Sequence, residues 1–226
     1  MSTLTNTNTH TYTHTHPELG KKLIKVLRHN KDINRIFDNE GYTDLSLLLK
    51  SLGYKEVSLE EIQYIVSNCS KQRFSLKEYS GSNGSNGSNG SNGSNGRNAG
   101  WLIRANQGHS FELDSDSLFT LIEDPTSYDN LLLGCFHGTN KNALVHIQNS
   151  DGLSSMCRTH IHIATSKDAI SGHRKSCNVF IYIDIKKAIH DGIKFYLSSN
   201  GVILTKGKDD CGFLPSTYFS RIDVQD

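Results

Sequence analysis

Residues 73–111 read RFSLKEYSGSNGSNGSNGSNGSNGRNAGWLIRANQGHSF, and this stretch decides the fold of the first half of the chain. Two runs with extended patterning, RFSLKEY and WLIRANQGHSF, flank a Ser-Asn-Gly tract that has no apolar side chain to bury. In the first run Phe74 and Leu76 alternate with polar residues, as in a strand with one buried face. The pattern predicts a β-hairpin whose connection, residues 80–100, is a flexible insert.

Three helical segments precede this hairpin. The first ends at Arg28 and His29 and carries an apolar stripe made of Leu19, Leu23, Val26 and Leu27. The second, within DNEGYTDLSLLLKSLG, follows a turn and is stopped by Gly53, while the third, SLEEIQYIVSNC, opens with a capping box of Ser58 and Glu61. Three helices followed by a β-hairpin are the parts of a winged helix.

The second half of the chain is rich in short strand-like runs. These runs are LLLGCF, CRTHIHIA, NVFIYIDI, IKFYLSS, VILTKG and YFSRIDV. Asn200-Gly201 between two of them is a strong hairpin signal, and Thr139 or Asn140 is suited to cap a helix that ends near Gly152. We therefore expect an α+β lobe with a mainly β core.

The run MCRTHIHIA, residues 156–164, raises the question of a ligand. If it is a strand, Arg158, His160 and His162 share one face. Two histidines at this spacing suit a metal ion, although satisfied histidines without a ligand are the more common outcome. Because the permanent charge of Arg158 disfavours a nearby divalent cation, an anion fits this face better.

Composition excludes several classes of protein. The 226 residues carry a formal net charge of +1, so any phosphate site is local and built from a few arginines, not a broad basic surface. The five cysteines form an odd set without a C-x-x-C pair or a preceding apolar signal segment, which predicts reduced thiols. With no apolar run long enough to cross a bilayer, we expect an intracellular, soluble protein without a membrane partner.

Residues 1–17 form a Thr/Asn/His-rich segment without hydrophobic periodicity, which predicts a disordered tail. The common nucleotide and hydrolase signatures do not occur in the sequence. There is no G-x-G-x-x-G, G-x-x-x-x-G-K-[ST], G-x-S-x-G or H-E-x-x-H. If the protein binds a nucleotide, it uses a binding motif other than these.

Scattered motifs remain, in the order LRH, KQRF, IRANQGHS (with His109), HGT, GLSSMCRTHIHIA, ISGHR, DGIKFY and NGVILT. Together and at this spacing they closely resemble the RNA 2′-phosphotransferases, the enzymes that finish tRNA splicing. The likeness runs from about Leu19 to about Phe219. The sequence departs from the family pattern in two places: it has His173 where methionine is usual, and it carries the long Ser-Asn-Gly tract.

The resemblance implies a two-lobe architecture that agrees with the helix and strand pattern. Residues 18–122 are expected to form a winged-helix RNA-binding lobe that contains the insert. Residues 123–130 are expected to be a linker. Residues 131–226 are expected to form an NAD-binding lobe with the ADP-ribosyltransferase fold.

The resemblance also implies the reaction. The internal 2′-phosphate of ligated tRNA is transferred to NAD, which is consumed as a co-substrate and loses nicotinamide. The products are repaired 2′-hydroxyl RNA and ADP-ribose 1″,2″-cyclic phosphate, formed through an RNA-2′-phospho-ADP-ribose intermediate. We expect no metal requirement and a monomer.

By the same resemblance, the catalytic residues are Arg28, His29, Arg73 and Arg158. The expected NAD-binding residues are His137, Gly138, Thr139, His160, His162, Ser171 and Arg174. Guanidinium groups suit a phosphate dianion because they bind its oxygens bidentately and stay charged in a cleft.

Two other functions stay open from the sequence. One is an ADP-ribosyltransferase that modifies terminal phosphates of nucleic acids and stops after the first step. The other is a winged-helix RNA-binding module without activity.

Overall fold

A computed structural model describes residues 16–30, 37–79 and 100–225 of the chain. These residues form a mixed helical and stranded protein of the α+β class, as predicted. Almost all of the Ser-Asn-Gly insert and residues 1–15 of the predicted tail lie outside the described residues. At the end of that tail, the backbone N–H of His16 donates to Glu61 Oε1 at 3.0 Å.

The first part of the chain combines three helices with a three-stranded antiparallel sheet. The elements are α1 (Leu19–His29), β1 (Thr43–Asp44), α2 (Leu45–Ser51), α3 (Leu59–Ser67), β2 (Phe74–Tyr79) and β3 (Gly100–Ala105), with the strand order β1-β3-β2. The hairpin register runs from Phe74 opposite Ala105 to Tyr79 opposite Gly100, which confirms the predicted hairpin. The second strand is shorter than predicted, since residues 106–111 are irregular.

Local sequence explains where these helices begin and end. Ser58 accepts the Glu61 N–H at 3.2 Å with its hydroxyl, and Asp44 accepts the Leu47 N–H, so each side chain satisfies one free N–H at a helix start. Gly53 follows α2 with a φ of +80°, a conformation that glycine adopts without strain. The predicted helix signals are therefore confirmed.

The core of this part lies between the helices and the sheet. Leu19, Leu23 and Leu27 are fully buried and face the sheet at the i, i+4, i+8 spacing of one helix stripe. The cluster also includes Leu48, Ile62 and other residues between 19 and 105. Full burial of a leucine contributes about 1.5–3 kcal/mol, so this stripe fixes α1 on the sheet.

The second part of the chain is built on a seven-stranded sheet. Its order is β12-β8-β5-β7-β10-β9-β4. The strands are β4 (Thr120–Leu121), β5 (Phe136–Thr139), β7 (Ile161–Ala164), β8 (Val179–Ile183), β9 (Tyr196–Leu197), β10 (Val202–Thr205) and β12 (Phe219–Val224). A separate pair is formed by β6 (Gly152–Ser154) and β11 (Phe213–Pro215). Every pairing within named strands is antiparallel.

Four helices accompany this sheet within the described residues. They are α4 (Ser115–Leu118), α5 (Asp129–Leu132), α6 (Lys141–Asn149) and α7 (Ile185–His190), with short 3₁₀ turns at Pro125–Tyr128, Lys208–Asp210 and Ser216–Tyr218. The Asn140 side chain accepts the Ala143 N–H and caps α6, which settles the alternative of Thr139 or Asn140. The predicted hairpin at Asn200-Gly201 is confirmed by the antiparallel pairing of β9 with β10.

Two predicted strands are wrong in whole or in part. LLLGCF is not a strand: Leu131 and Leu132 end α5, Leu133 follows as its C-cap, and the strand begins only at Phe136. CRTHIHIA is a strand only from Ile161 onward, because the chain turns through Met156, whose φ is +57°. Arg158 and His160 therefore precede β7 and do not share a strand face with His162.

The predicted boundary near residue 122 falls inside the larger sheet. Thr120 and Leu121 pair with Leu197 and Tyr196, and Ile122 belongs to the core cluster of the second part. The division into two lobes stays a prediction. The last strand of the predicted first lobe, β4, is paired with the larger sheet. No described helix is long and apolar enough to cross a membrane.

Candidate active site

Arg28 lies in the last turn of α1 and is held there by the loop that follows β3. The Arg28 carbonyl accepts the Ser110 N–H at 2.8 Å and the Ser110 hydroxyl at 3.2 Å. A Cβ atom on Gly108, which has a φ of +87°, would lie 3.3 Å from the guanidinium carbon of Arg28. The lack of a side chain at Gly108 thus lets the backbone lie against the guanidinium group.

That loop, residues 106–109, is polar and yet completely buried. Asn106 donates to the carbonyls of Gln72 and Phe74 at 2.8 and 3.1 Å and accepts from the Ser75 hydroxyl at 2.6 Å. The His109 carbonyl accepts the Thr159 N–H at 3.1 Å. Because buried polar groups need partners, these bonds fix the loop between the two parts of the chain.

Arg73 lies on the turn between α3 and β2, directly before the strand. Its backbone N–H and its Nη1 both donate to the sulfur of Cys69, at 3.4 and 3.5 Å. Burial raises the pKa of the Cys69 thiol, but the hydrogen bonds from Arg73, a backbone hydrogen bond from Lys71 and the charge of Arg73 together outweigh burial, so the net pKa lies below its ordinary value. The sulfur is therefore a partner for the guanidinium group.

Arg158 lies in the turn before β7. Its N–H donates to the Ser155 carbonyl at 3.1 Å, which closes the turn. Burial, and then the charge of Arg174, lower the pKa of Arg158 below its ordinary value. The turn before β7, where a strand was predicted, thus places Arg158 within reach of the charge of Arg174.

Positive charge converges at this place. Burial, followed by the charges of Arg158 and Arg73, lowers the pKa of Arg28 to about 10. Its Nε and Nη2 are buried and have no hydrogen-bond partner among the described residues. Within the described part of the chain, none of Arg28, Arg73, Arg158 and Arg174 forms an ion pair with a carboxylate. An uncompensated group of guanidinium ions is suited to an anion that carries more than one charge.

His29 ends α1 beside this group. Burial, then the charges of Arg28 and Arg158, lower the pKa of its imidazole below the ordinary value of 6.5. The ring is consequently neutral at pH 7 and able to accept a proton. The structure therefore brings all four predicted catalytic residues into one neighbourhood.

His137, Gly138 and Thr139 form β5. His137 Nδ1 lies 2.9 Å from the His162 carbonyl and donates to it, which leaves Nε2 as the acceptor nitrogen of the neutral ring. A Cβ on Gly138 would lie 2.9 Å from the Cβ of His173 and 3.0 Å from the sulfur of Cys177. Glycine is thus required at this position by close packing.

His160 and His162 are buried and bonded within the protein. His160 Nδ1 lies 2.8 Å from the Thr159 hydroxyl, and its Nε2 lies 3.1 Å from the Ser115 hydroxyl. His162 bonds the His160 carbonyl and the Gln107 side chain at 3.0 and 2.8 Å. Burial lowers the pKa of both rings, that of His160 to about 4, so both are neutral. These hydrogen bonds hold both rings in place in β7 and in the segment before it, which also carries Arg158.

Ser171 joins the two parts of the chain. Its hydroxyl donates to the Lys71 carbonyl at 2.6 Å and accepts from Asn200 at 3.2 Å, while Asn200 also donates to the Lys71 carbonyl at 3.1 Å. In return, Lys71 Nζ donates to the His173 carbonyl at 2.8 Å. Arg174 is exposed nearby, and its charge is among those that lower the pKa of Lys71, after burial and the charge of Arg73.

The IRANQGHS motif, with His109, was among the motifs that carry the resemblance, but no site role was predicted for Asn106, Gln107 or His109. Burial, then the charge of Arg28, lowers the pKa of His109 to about 3, and its Nε2 has no described partner. The sequence did contain a sign that the strand β3 ends here, because the four consecutive residues NQGH, 106–109, are too polar to continue it. What the pattern did not show is that the loop returns to the end of α1.

A family model, RNA 2′-phosphotransferase, Tpt1/KptA family, matches residues 14–207 of the chain. The chain belongs to this family. The match spans both the region of Arg28 and Arg73 and that of Arg158 and Arg174. The RNA 2′-phosphotransferase family consists of transferases, so the protein is an enzyme of that class.

Curated relatives agree with the family. The chain is 35% identical over 208 residues to the tRNA 2′-phosphotransferase 1 of Danio rerio, covering 90% of this chain and 83% of that protein. It is 30% identical over 198 residues to the tRNA 2′-phosphotransferase of Saccharomyces cerevisiae, covering 83% and 77%. It is also 37% identical over 211 residues to the putative tRNA 2′-phosphotransferase of Schizosaccharomyces pombe, where the match covers 91% of this chain but only 51% of the longer relative. The resemblance inferred from scattered motifs is confirmed.

Proposed function

We propose that this protein is a tRNA 2′-phosphotransferase that transfers the splice-junction 2′-phosphate of ligated tRNA to NAD. The observation that carries the proposal is the group formed by Arg28, Arg73 and Arg158, which pair with no carboxylate among the described residues, in a member of the RNA 2′-phosphotransferase family. A phosphate monoester carries about −1.5 to −2 charges at pH 7. Such an anion would relieve the repulsion from Arg158 and Arg73, which adds to burial in lowering the pKa of Arg28.

In the first step the arginine cluster orients the 2′-phosphate. A 2′-phosphate oxygen attacks the anomeric carbon of the nicotinamide ribose, and nicotinamide leaves with the bonding electrons. Bidentate guanidinium contacts hold the phosphate in one orientation, which lowers the entropic part of the barrier. The same contacts reduce the nucleophilicity of the phosphate, so the arginines are not optimised for this step alone.

The second step draws more on the arginines. The ribose 2″-hydroxyl attacks phosphorus, the RNA 2′-oxygen leaves with the bonding electrons and takes up a proton to become the 2′-hydroxyl, and negative charge accumulates on the phosphoryl oxygens during the attack. Cations that are already in place stabilise that charge without reorganisation. His29 is neutral at pH 7 and is assigned to accept the proton of the 2″-hydroxyl.

The NAD site is assigned to the wall formed by β5, β7 and the loop between β7 and β8. His137, Gly138 and Thr139 line it along β5, and Arg174 supplies a charge for the pyrophosphate. His160, His162 and Ser171 bond to protein partners, so in this proposal they hold the wall in shape. Two features support an anionic ligand here: the Arg28 Nε and Nη2 groups, which have no hydrogen-bond partner in the part of the chain that the structure describes, and the charge of Arg174, which acts on Arg158. NAD would supply the electrophile, the anomeric carbon of its nicotinamide ribose, which accepts the phosphate.

The two-lobe assignment belongs to the same proposal. Helices α1–α3 with the hairpin β2–β3 fit a winged-helix lobe that holds RNA, and the seven-stranded sheet fits the ADP-ribosyltransferase fold. The arginines come from both, since Arg28 and Arg73 belong to the first and Arg158 and Arg174 to the second. RNA and NAD would therefore meet where the two parts are in contact.

The proposal is tested by incubating the protein with NAD and an oligonucleotide that carries one internal 2′-phosphate, then identifying the products by mass spectrometry. The expected products are 2′-hydroxyl RNA, nicotinamide and ADP-ribose 1″,2″-cyclic phosphate. Accumulation of RNA-2′-phospho-ADP-ribose alone would instead indicate an ADP-ribosyltransferase that stops after the first step. Unchanged RNA with measurable binding would indicate a module without activity.

A further inference from the structure

The turn from α3 to β2 carries Arg73, and one sulfur atom organises it. The Cys69 carbonyl accepts the Gln72 N–H at 2.7 Å, and Gln72 adopts a φ of +45°. After this residue the chain reverses, so the N–H and the guanidinium Nη1 of Arg73 both return to Cys69 Sγ. The side chain of Cys69 is half-buried beneath the turn.

The two hydrogen bonds restrain both ends of Arg73. The bond from the backbone N–H sets where the side chain leaves the turn, and the bond from Nη1 sets where the guanidinium group points. A free arginine side chain has about 2 kcal/mol of rotamer entropy to lose when it binds a phosphate. Since a sulfur partner removes part of that freedom in advance, Arg73 is preorganised for its ligand.

The charged groups around Arg73 show that Cys69 holds a member of the arginine cluster. The charge of Arg73 acts on Arg28 and on Lys71, so the guanidinium group that Cys69 holds belongs to the arginine cluster. Among the described residues, no carboxylate pairs with Arg73. A neutral or partly ionised thiol restrains the guanidinium group and leaves most of its charge available to an anion, which a carboxylate partner would neutralise.

We infer that Cys69 is a positioning residue for the phosphate-transfer reaction, acting through Arg73. The inference rests on the proposed function. The sulfur touches neither substrate, and its effect is carried entirely by the orientation of the Arg73 guanidinium. A hydroxyl oxygen at the same position retains the acceptor, whereas a methyl group does not.

The test compares Cys69→Ala with Cys69→Ser in the full-length protein, with Cys211→Ala as the control because Cys211 is an exposed free cysteine. Steady-state kinetics are measured separately for the 2′-phosphorylated RNA and for NAD. Cys69→Ala is expected to lower kcat/KM for the RNA roughly tenfold, the size associated with losing one hydrogen bond to a charged group. Cys69→Ser should recover most of that loss, and the KM for NAD should not change in either variant.

A second comparison separates positioning from general support of the fold. Cys69→Ala is repeated in an Arg73→Lys background, which lacks the guanidinium that the sulfur holds. If Cys69 acts through Arg73, the cysteine change adds little to the loss already caused by Arg73→Lys. An equal loss in both backgrounds, or a Cys69→Ser enzyme as impaired as Cys69→Ala, would overturn the inference.

Two controls keep the outcomes distinct. The thermal midpoint of each variant shows whether it folds, and if Cys69→Ala does not, Cys69→Val, which also lacks an acceptor but fills the space of the sulfur, is compared in both backgrounds. Inactive wild-type protein would contradict the proposed function itself. Active wild-type protein with fully active Cys69→Ala would contradict only the role of Cys69.

Discussion

At the scale of single residues, the site contrasts charged arginines with neutral histidines. Arg28 keeps its charge at neutral pH even though its pKa falls to about 10, whereas the pKa values of His109 and His160 fall to about 3 and about 4. Burial is the largest cause in each case. The cluster thus carries a charge that does not vary near neutrality, and His29 is the less buried ring left for proton transfer.

Alanine at Arg28, His29 or Arg158 is expected to impair the second chemical step more than the first. The reason is that charge accumulates on the phosphoryl oxygens only when phosphorus is attacked. Each variant incubated with 2′-phosphorylated RNA and NAD should accumulate RNA-2′-phospho-ADP-ribose, seen as a slower band on a gel. Arg221→Ala is the matched control, because Arg221 is exposed on β12 and pairs with Asp223. Variants that stop without any intermediate would contradict this division of labour.

The buried histidines make a prediction about stability and pH. The folded pKa of His160 is about 4, below the ordinary 6.5, so between these values the unfolded chain binds a proton that the folded chain does not. Stability is therefore full above pH 6.5 and falls as the pH drops, by at most about 1.4 kcal/mol per pH unit for each such histidine. Urea unfolding at pH 7.5 and pH 5.0 measures the loss.

His160→Gln should show a smaller loss between the two pH values than the wild type, because the glutamine does not titrate. His190→Gln is the control, since the side chain of His190 is 90% exposed. The explanation fails if His160→Gln and the wild type lose the same stability on acidification.

At the scale of elements, strong local signals predicted the structure and weak ones did not. The stripe of α1, the Ser58 cap and the Asn200-Gly201 hairpin are each set by neighbouring residues, and each is found as predicted. LLLGCF failed because a short apolar run does not distinguish a buried helix end from a strand. CRTHIHIA failed because its first half turns to place Arg158, an outcome that depends on contacts with His109 far along the chain.

The contact between the α3–β2 turn and the β7–β8 loop is an element-scale feature that the sequence did not reveal. Ser171 and Asn200 both donate to the Lys71 carbonyl, two residues before Arg73. Ser171→Ala removes one of these bonds and leaves a half-buried carbonyl with one donor, at a cost of roughly 0.5–1.5 kcal/mol. We expect lower kcat with 2′-phosphorylated RNA and faster amide exchange in the turn that carries Lys71.

Hydrogen exchange read by mass spectrometry checks the Ser171 prediction. Ser117→Ala is a suitable control, because the Ser117 hydroxyl donates to Asp114 at the exposed start of α4. Unchanged exchange at residues 69–73 together with unchanged kcat would show that the Ser171 bond does not organise the turn.

At the scale of the whole molecule, two core clusters are joined by a polar contact region. One cluster uses residues 19–105, and the largest cluster of the second part uses residues 122–218. The buried loop 106–109 and the bonds of Lys71 connect them. The motifs predicted which residues meet in this region, since Arg28, His29, Arg73 and Arg158 do converge. They did not predict the residues that hold the arginines in place, Cys69, Gly108 and Ser110, because these contacts join segments that no local pattern relates.

The net charge of +1 is compatible with a local group of unpaired arginines, because 24 Lys and Arg residues are nearly balanced by 23 Asp and Glu residues over the chain. Exposed ion pairs such as Lys77 with Glu40 and Lys206 with Glu112 account for part of that balance. A local cationic site in a nearly neutral protein binds one phosphate group tightly without attracting nucleic acid indiscriminately.

The central claim is that the arginine cluster moves an RNA 2′-phosphate to NAD. The most direct measurement uses an oligonucleotide with a single ³²P-labelled internal 2′-phosphate, incubated with the wild-type protein with and without NAD. The label should leave the RNA only when NAD is present and should be recovered as ADP-ribose 1″,2″-cyclic phosphate. Release of the label as inorganic phosphate without NAD, or its retention in the RNA under both conditions, would contradict the account.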